Sequence, residues 1–346
     1  MGVLNDVQIV EDVKKLIKMF EETQYKEHTI KPDLLKGPIL TREGLRKIRM
    51  NTGVYQTKTS GSTGEPITVQ KTYQDLIWSF ATNIREIRWR GWDVTKSVAV
   101  IKATHPLATS PNWGISKEIE PLQGTSYTSP YKTISELQKW IEKVNPHYIN
   151  CIPSIFKQLD LSKVSNFIDW KGTGEVGGTM YSTEECGTIA IQCPDNPSVM
   201  HVMENIYVEV DDDGGAIITS LTNPYIKKYK HGDHIVMGKC HCGRTMQTIS
   251  EVKGRVRNMF VLPNGDKKWP LIGSHHFYDR FGIKRFKAIQ KTIYDLEFQI
   301  ICEPLYDLES EVKQLIQSML ESDINITITY VDEFKDYKFE EFISLI

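Results

Sequence analysis

An α/β fold, built as a large N-terminal domain and a small C-terminal α+β unit, follows from three features of the sequence. Short apolar runs alternate with amphipathic segments of helical period, the pattern of sheets covered by helices. A hairpin signal breaks that alternation, where Ile206–Val210 and Ala216–Thr219 flank Asp211-Asp212-Asp213-Gly214-Gly215. Beyond Gly254-Arg255 the chain closes with a compact strand–helix–strand pattern.

The elements justify themselves in order. Met1 to Phe20 mixes Asp, Glu and Lys with Leu, Ile and Val at helical spacing, without the basic start and unbroken apolar middle of a secretory signal. Thr72 and Asp75 form a capping box, and Leu76, Ile77, Phe80, Ala81, Ile84 and Ile87 recur behind it at helical spacing. Ser97 to Ile101 reads as a buried strand, Ile134 to Val144 as an amphipathic helix, and Tyr148 to Ile152 as a strand ended by Pro153. In the C-terminal unit, strand Ile293 to Ile301 leads into a helix carrying Leu308, Val312, Leu315, Ile316 and Met319. Ile324, Ile326, Ile328 and Tyr330 then alternate as a half-buried strand. The expected boundary lies between Lys253 and Gly254, giving domains 1–253 and 254–346.

Composition narrows the function. A chain of 346 residues can bury a substantial core, and its formal net charge of -2 carries no long run of one sign. A general nucleic-acid binder needs a basic face, so that class is disfavoured, although Lys284, Arg285 and Lys287 form a local basic group. No run is apolar for the ~20 residues of a membrane span, and a soluble cytoplasmic protein is expected. The six cysteines are Cys151, Cys186, Cys193, Cys240, Cys242 and Cys302. Cys240 and Cys242 are too close for an easy mutual disulfide, which leaves metal ligation or free thiols in a reducing compartment.

The most informative segment is Thr59-Ser60-Gly61-Ser62-Thr63-Gly64-Glu65-Pro66. Glycines let backbone N–H groups approach an anion, and the hydroxyls add donors and could ligate Mg²⁺. By composition alone it is either such a loop or an ordinary Ser/Thr/Gly turn; it is not a Walker A loop, because no Gly-Lys-Ser/Thr follows at the required spacing. The full string resembles the phosphate-binding loop of the adenylate-forming superfamily, which includes acyl-CoA synthetases, luciferases and peptide-synthetase adenylation domains. The following Ile67-Thr68-Val69 resembles the phenylacetate–CoA ligase and coenzyme F390 synthetase branch.

Further motifs follow in the family's order. Tyr181-Ser182-Thr183-Glu184 resembles the segment whose aromatic ring lies against adenine and whose carboxylate holds Mg²⁺, a hard ion that prefers oxygen ligands. Tyr229-Lys230-His231-Gly232-Asp233 resembles the Tyr-Arg-x-Gly-Asp motif, in which the aspartate accepts from the ribose hydroxyls. Gly174-Glu175 is similar to the Gly-x-Glu segment bordering the nucleotide. Arg255 stands at the ribose-contacting arginine, and Asn258 where many members carry the hinge aspartate. Pro38 to Arg46 and Ile152-Pro153-Ser154 are softer matches to the branch's entry segment and acyl-side turn.

The resemblance implies a large adenylate-forming N-terminal domain with a small C-terminal α+β lid, and ATP-dependent activation of a small carboxylic acid. ATP·Mg²⁺ would be gripped by Thr59 to Gly64, with Thr63 and Glu184 on the metal. CoA is the expected acceptor, an amine giving an amide is the alternative, and a non-catalytic nucleotide-binding relative is a third reading; a homodimer is left open. Lys338 aligns best with the catalytic lysine, but Tyr337 replaces the preceding glycine, and Glu340 and Glu341 follow where the family is basic. Only Val176 to Met180 separate Glu175 from Tyr181, where relatives place a helix.

Cys193, His201, Cys240 and Cys242 could complete a closed tetrahedral Zn²⁺ site of the structural kind. Relatives in the phenylacetate branch carry a similar Cys…His…Cys-x-Cys-Gly-Arg set, which implies that quartet. His241 is the alternative fourth ligand, and free thiols beside an unrelated histidine are the bland one.

Overall fold

The computed structural model describes residues 6–26, 32–48, 55–58, 68–102, 105–130, 134–172, 174, 177–255, 260–265, 267–268, 277, 280–283, 285–302, 308–320, 322–332, 334 and 342–346. Two compact units are distinct. One comprises described residues through Thr57 and from Thr68 to Lys253; the other comprises Lys58, the last residue of the first strand below, and those from Gly254 onward.

The first unit opens with α1 (Asp6–Thr23) and α2 (Arg42–Lys47), then β1 (Tyr55–Lys58) and β2 (Thr68–Lys71), which pair as a two-stranded sheet. Helix α3 (Tyr73–Trp89) begins at the capping box: the Thr72 hydroxyl accepts from the Asp75 N–H at 3.1 Å, and the Asp75 carboxylate accepts from the Thr72 N–H at 2.8 Å. Its apolar face packs on α1, where Phe20, Leu16 and Val13 meet Ile77, Trp78, Ala81 and Ile84.

Next come β3 (Val98–Ile101), β4 (Ala108–Ser110), β5 (Ser126–Ser129), α4 (Ile134–Val144), β6 (Tyr148–Asn150), α5 (Pro153–Phe156) and β7 (Asp169–Lys171). They build a five-stranded sheet in the order β4-β5-β3-β6-β7, parallel except for β4. Leu137 and Ile141 of α4 seal one face against Ala99, Ile101 and Ile149. The chain departs from β3 to one side for β5 and to the other for β6. The strand order therefore reverses at β3, the point at which open α/β sheets form a ligand crevice beyond the carboxyl ends of their strands. Pro153 starts α5 as its first residue, three positions beyond the end of β6.

A seven-stranded sheet completes the unit: β8 (Met180–Thr183), β9 (Gly187–Gln192), β10 (Met200–Val202), β11 (Ile206–Val210), β12 (Gly215–Ser220), β13 (Tyr229–Met237) and β14 (Thr248–Arg255), in the order β11-β12-β13-β14-β10-β9-β8. The hairpin expected around Asp211-Asp212-Asp213 is present as β11–β12, with the Asp211 carboxylate accepting from the N–H groups of Asp213 at 3.1 Å and Gly215 at 2.7 Å.

The second unit carries the hairpin β15 (Phe260–Val261) and β16 (Lys267–Lys268). It also carries a four-stranded sheet made of β17 (Arg285–Gln290), β18 (Asp295–Ile301), β19 (Asn325–Tyr330) and β20 (Phe342–Ser344), ordered β19-β18-β17-β20. Helix α6 (Leu308–Leu320) connects β18 to β19, which pair in parallel as a strand–helix–strand crossover requires. Phe277, Phe286 and Phe298 are fully buried at its centre, beside Val312 and Ile316 of α6. The side chain of Gln290 binds both main-chain groups of Val261, at 2.9 and 2.7 Å, tying the hairpin to β17. Among the described residues, no helix is long and apolar enough to cross a membrane.

Truncating Phe298, which is 0% exposed, should destabilise the second unit by about 3–5 kcal/mol. Hydrogen exchange in β17, β18 and β19 should accelerate in Phe298→Ala while exchange in the first unit stays at the wild-type rate.

Candidate active site

The site is assembled by the shape of the seven-stranded sheet. Tyr181 lies on β8 and Asp233 on β13, and β14, β10 and β9 stand between those strands in the hydrogen-bonded order. On a flat sheet four strand spacings amount to roughly 19 Å. The Tyr181 hydroxyl nevertheless donates to Asp233 Oδ2 at 3.1 Å, so the sheet curls and brings β8 back over β13. His231 Nε2 lies 3.0 Å from the same hydroxyl, and His231 Nδ1 lies 3.4 Å from Asp233 Oδ2.

A bulge aims these side chains. On β12 only Ala216 lies between the paired positions Gly215↔His234 and Ile217↔Lys230, whereas β13 fits His231, Gly232 and Asp233 into the same interval. Extra residues on one strand bend it and redirect its side chains. Gly232 takes φ +98° inside this bulge, a conformation that a residue with Cβ rarely adopts. The strand continues through Gly232 and Asp233 to Met237.

Beside Tyr181, two neighbouring carboxylates divide the work. Glu185 is buried: it accepts from the Tyr229 hydroxyl at 3.0 Å and pairs with Arg42 at 3.5 Å, while Lys71 donates to its main-chain oxygen at 3.0 Å. Glu184 is exposed at the turn after β8, with Ser182 and Thr183 half-buried before it. The Thr183 hydroxyl accepts from the Cys186 N–H at 3.0 Å and closes that turn. Burial, then the charges of Asp75 and Glu184, raise the pKa of the Tyr55 phenol. Burial and then Lys171 lower that of the Lys102 amine, against the opposing pull of Glu86 and Glu184. Glu184 thus shares its electrostatic surroundings with Tyr55 and Lys102, and Lys102 follows directly on β3 at the crevice. Sequence reasoning missed Lys102, because a single lysine after a strand has no motif to mark it.

The segment between β7 and Tyr181 is held from below. Lys171 donates to Asn83 at 2.7 Å and to Glu86 at 2.9 Å, and the Thr179 hydroxyl donates to the other Glu86 oxygen at 2.8 Å. Gly172 follows Lys171 because a Cβ there would stand 2.2 Å from the Cys151 carbonyl oxygen. Gly174 is exposed with φ +92°.

Of the residues singled out by motif, Tyr181, Ser182, Thr183, Glu184, Asp233 and Gly174 are therefore placed, and Tyr181 meets Asp233 directly. Arg255 ends β14, its side chain outside the described residues. Thr59, Ser60, Gly61, Ser62, Thr63, Gly64, Glu175, Asn258 and Lys338 also lie outside them.

A second cluster brings Cys193, His201, Cys240 and Cys242 together, with all four donor atoms within 4.8 Å of one another. Cys193 Sγ and Cys240 Sγ are 3.7 Å apart, too far for a disulfide. That separation is close to the edge, about 3.8 Å, of a tetrahedron with metal–sulfur bonds of ~2.3 Å. His201 Nε2 lies 3.2 Å from Cys242 Sγ, whereas its buried Nδ1 has no hydrogen-bond partner among the described residues. Burial, reinforced by Arg244 and Arg85, pushes the imidazole down to about 4, which keeps it neutral and able to ligate. Trp89 packs edge-on to His201 at 6.0 Å, and Arg244 lies over that indole while pairing with Asp195. The donor set fits a closed structural metal site.

No family model and no curated protein matches the sequence. Solved structures do match. A 2-hydroxyisobutyryl-CoA ligase in the postadenylation state, in complex with 2-HIB-AMP, superposes with a TM-score of 0.63 at 16% identity, covering 98% of this chain and 89% of the ligase. An anthranilate CoA ligase in complex with anthranoyl-AMP gives 0.53 at 14% identity, over 81% of this chain and 63% of the other. The o-succinylbenzoate coenzyme A synthetase from Bacillus subtilis, in complex with AMP, gives 0.53 at 12% identity over 83% and 67%. The likeness is one of fold. The chain has the mixed α/β architecture of adenylate-forming ligases, with a large N-terminal and a small C-terminal part.

The Glu86–Lys171 pair is buried, at 2% and 9% side-chain exposure, so removing one partner strands the other charge. Glu86→Ala should lower stability by about 3–5 kcal/mol, and the double variant Glu86→Leu with Lys171→Met by much less, as read from denaturant unfolding.

Proposed function

We propose that the protein is an AMP-forming ligase that activates a small carboxylic acid as its acyl-adenylate and passes the acyl group to coenzyme A. The carrying observation is the hydrogen bond between Tyr181 and Asp233, two residues that match separate nucleotide-binding motifs and meet in a fold shared with adenylate-forming ligases. Structures of that fold hold acyl-adenylates or AMP, and this supports the same intermediate here.

In this reading a carboxylate oxygen of the acid attacks the α-phosphorus of ATP in line, and the bond to pyrophosphate breaks. A thiolate then attacks the acyl carbon and AMP leaves. No covalent protein intermediate is required, so the protein contributes positioning and charge neutralisation. Asp233 accepts from the ribose hydroxyls and Thr59 to Gly64 cradle the phosphates. Glu184 with Thr63 would hold Mg²⁺, which offsets phosphate charge. Lys338 is assigned to the reacting carboxylate, with residues 254–346 as the lid that carries it and 1–253 as the adenylation domain. Glu175 and Gly174 border the nucleotide, and Arg255 reaches the ribose.

Membership of the phenylacetate–CoA ligase branch is supported by the cysteine–histidine cluster, for which we propose a structural zinc on Cys193, His201, Cys240 and Cys242. A second reading, a nucleotide-binding relative without catalysis, is favoured by one feature: Tyr337, Glu340 and Glu341 surround Lys338 where the family carries glycine and basic residues.

Acid-dependent exchange of labelled pyrophosphate into ATP, across aryl, aliphatic and amino acids, separates the two. Exchange with any acid establishes adenylation, whereas nucleotide binding with silence across the panel supports the second reading. Glu184→Gln should reduce Mg²⁺-dependent exchange, and Asp233→Ala should weaken ATP binding roughly tenfold or more, the worth of hydrogen bonds to a charged acceptor. Wild-type behaviour in both variants would remove the motif assignment.

Metal analysis of the purified protein should find one zinc per chain. Its removal should make Cys193, Cys240 and Cys242 reactive to alkylation. Cys186, a buried thiol pushed up to about 12 by burial, should stay inert until the chain unfolds. Metal-free protein with the same melting temperature would refute a structural role.

A further inference from the structure

We infer that His231 is a positioning residue for nucleotide recognition: acting through the Tyr181 hydroxyl, it sets the orientation in which Asp233 receives a ribose diol. The inference rests on the ribose role given to Asp233 above, and it concerns a residue that the surrounding motif leaves unspecified.

A carboxylate can only accept, and this sets the direction of the hydrogen bond between Tyr181 and Asp233. Tyr181 has one hydroxyl proton and donates it to Asp233 Oδ2 at 3.1 Å. The contact of 3.0 Å with His231 Nε2 must then run the other way, with Nε2–H donating to the phenolic oxygen. A hydroxyl that accepts one hydrogen bond donates a second more strongly. His231 therefore strengthens the hold of Tyr181 on Asp233. The carboxylate oxygen that accepts this hydrogen bond is Oδ2. One edge of the carboxylate is thereby engaged by protein.

The geometry explains why such a hold matters. Asp233 sits in a bulge next to Gly232, where the regular ladder to β12 is interrupted. Its side chain is 13% exposed, against 2% for His231. The histidine is the buried support and the aspartate the group presented outward. Tyr229 stands behind, with its ring centroid 6.0 Å from that of His231 and its hydroxyl anchored on buried Glu185. A backing of this kind leaves the imidazole little freedom to swing away.

Two substitutions separate the donor from the shape. His231→Phe keeps a ring of similar bulk and removes the donor, whereas His231→Gln places an amide N–H near the position of Nε2. The measurement is the dissociation constant of ATP and of 2′,3′-dideoxy-ATP for the wild type, both variants and Asp233→Ala. The wild type should prefer ATP. His231→Phe should lose that preference by about tenfold with dideoxy-ATP affinity unchanged, and His231→Gln should recover most of it. Because the readout is a ratio within one folded variant, a general loss of stability cancels.

An unchanged ratio in His231→Phe, or equal weakening of both nucleotides, would overturn the inference while leaving the ribose role of Asp233 intact. Asp233→Ala with the wild-type ratio, or a wild type that binds no nucleotide, would instead sink the ribose assignment and the inference with it.

Discussion

The hydrogen bond from Tyr181 to Asp233 depends on, and reports, the curl of the seven-stranded sheet. Strands four spacings apart in the ladder order cannot share a contact of 3.1 Å unless the sheet rolls onto itself. Once it does, the turn after β8 and the bulge of β13 face the same volume. The buried Glu185, held by Tyr229 and Arg42 from two other elements, fixes the turn that leaves Glu184 at the surface.

Helix α3 fastens this sheet to the parallel one. Through Asn83 and Glu86 it holds Lys171 at the end of β7; through Arg85 it makes a two-pronged pair with Glu204, at 2.6 and 2.8 Å, beyond the end of β10. Its C-terminal cap, Arg90, binds both oxygens of Asp169 on β7 and the side chain of Gln192 on β9. Buried ion pairs of this type contribute little net stability compared with apolar packing, but breaking one is severe. Their value here is registration: α3 is fixed to both ends of β7 and to residues at the ends of β9 and β10. The Phe20 ring lies 3.5 Å from the Arg85 guanidinium, so α1 covers the pair with aromatic surface as well as aliphatic packing.

The cysteine–histidine cluster serves the same frame from outside the crevice. Cys193 follows β9, His201 lies on β10, and Cys240 and Cys242 occupy the connection from β13 to β14. A metal held there would clamp the three strands that separate β8 from β13, along with the turn that feeds β14.

Much of this was legible in the linear sequence, because it depends on neighbours. The capping box of α3, the acidic hairpin β11–β12 and the crossover β18–α6–β19 arise from local turn chemistry and periodicity. Motif strings likewise single out Tyr181, Asp233 and the four metal-type ligands. What the sequence could not specify was which distant residues share a site. Only the rolled sheet joins His231 to Tyr181, only the reversal of strand order at β3 makes Lys102 a rim residue, and only helix packing sets Glu86 beneath Lys171. Local pattern is encoded over a few residues of backbone, whereas these contacts depend on the curvature and stacking of whole sheets, which exist only once the chain has folded.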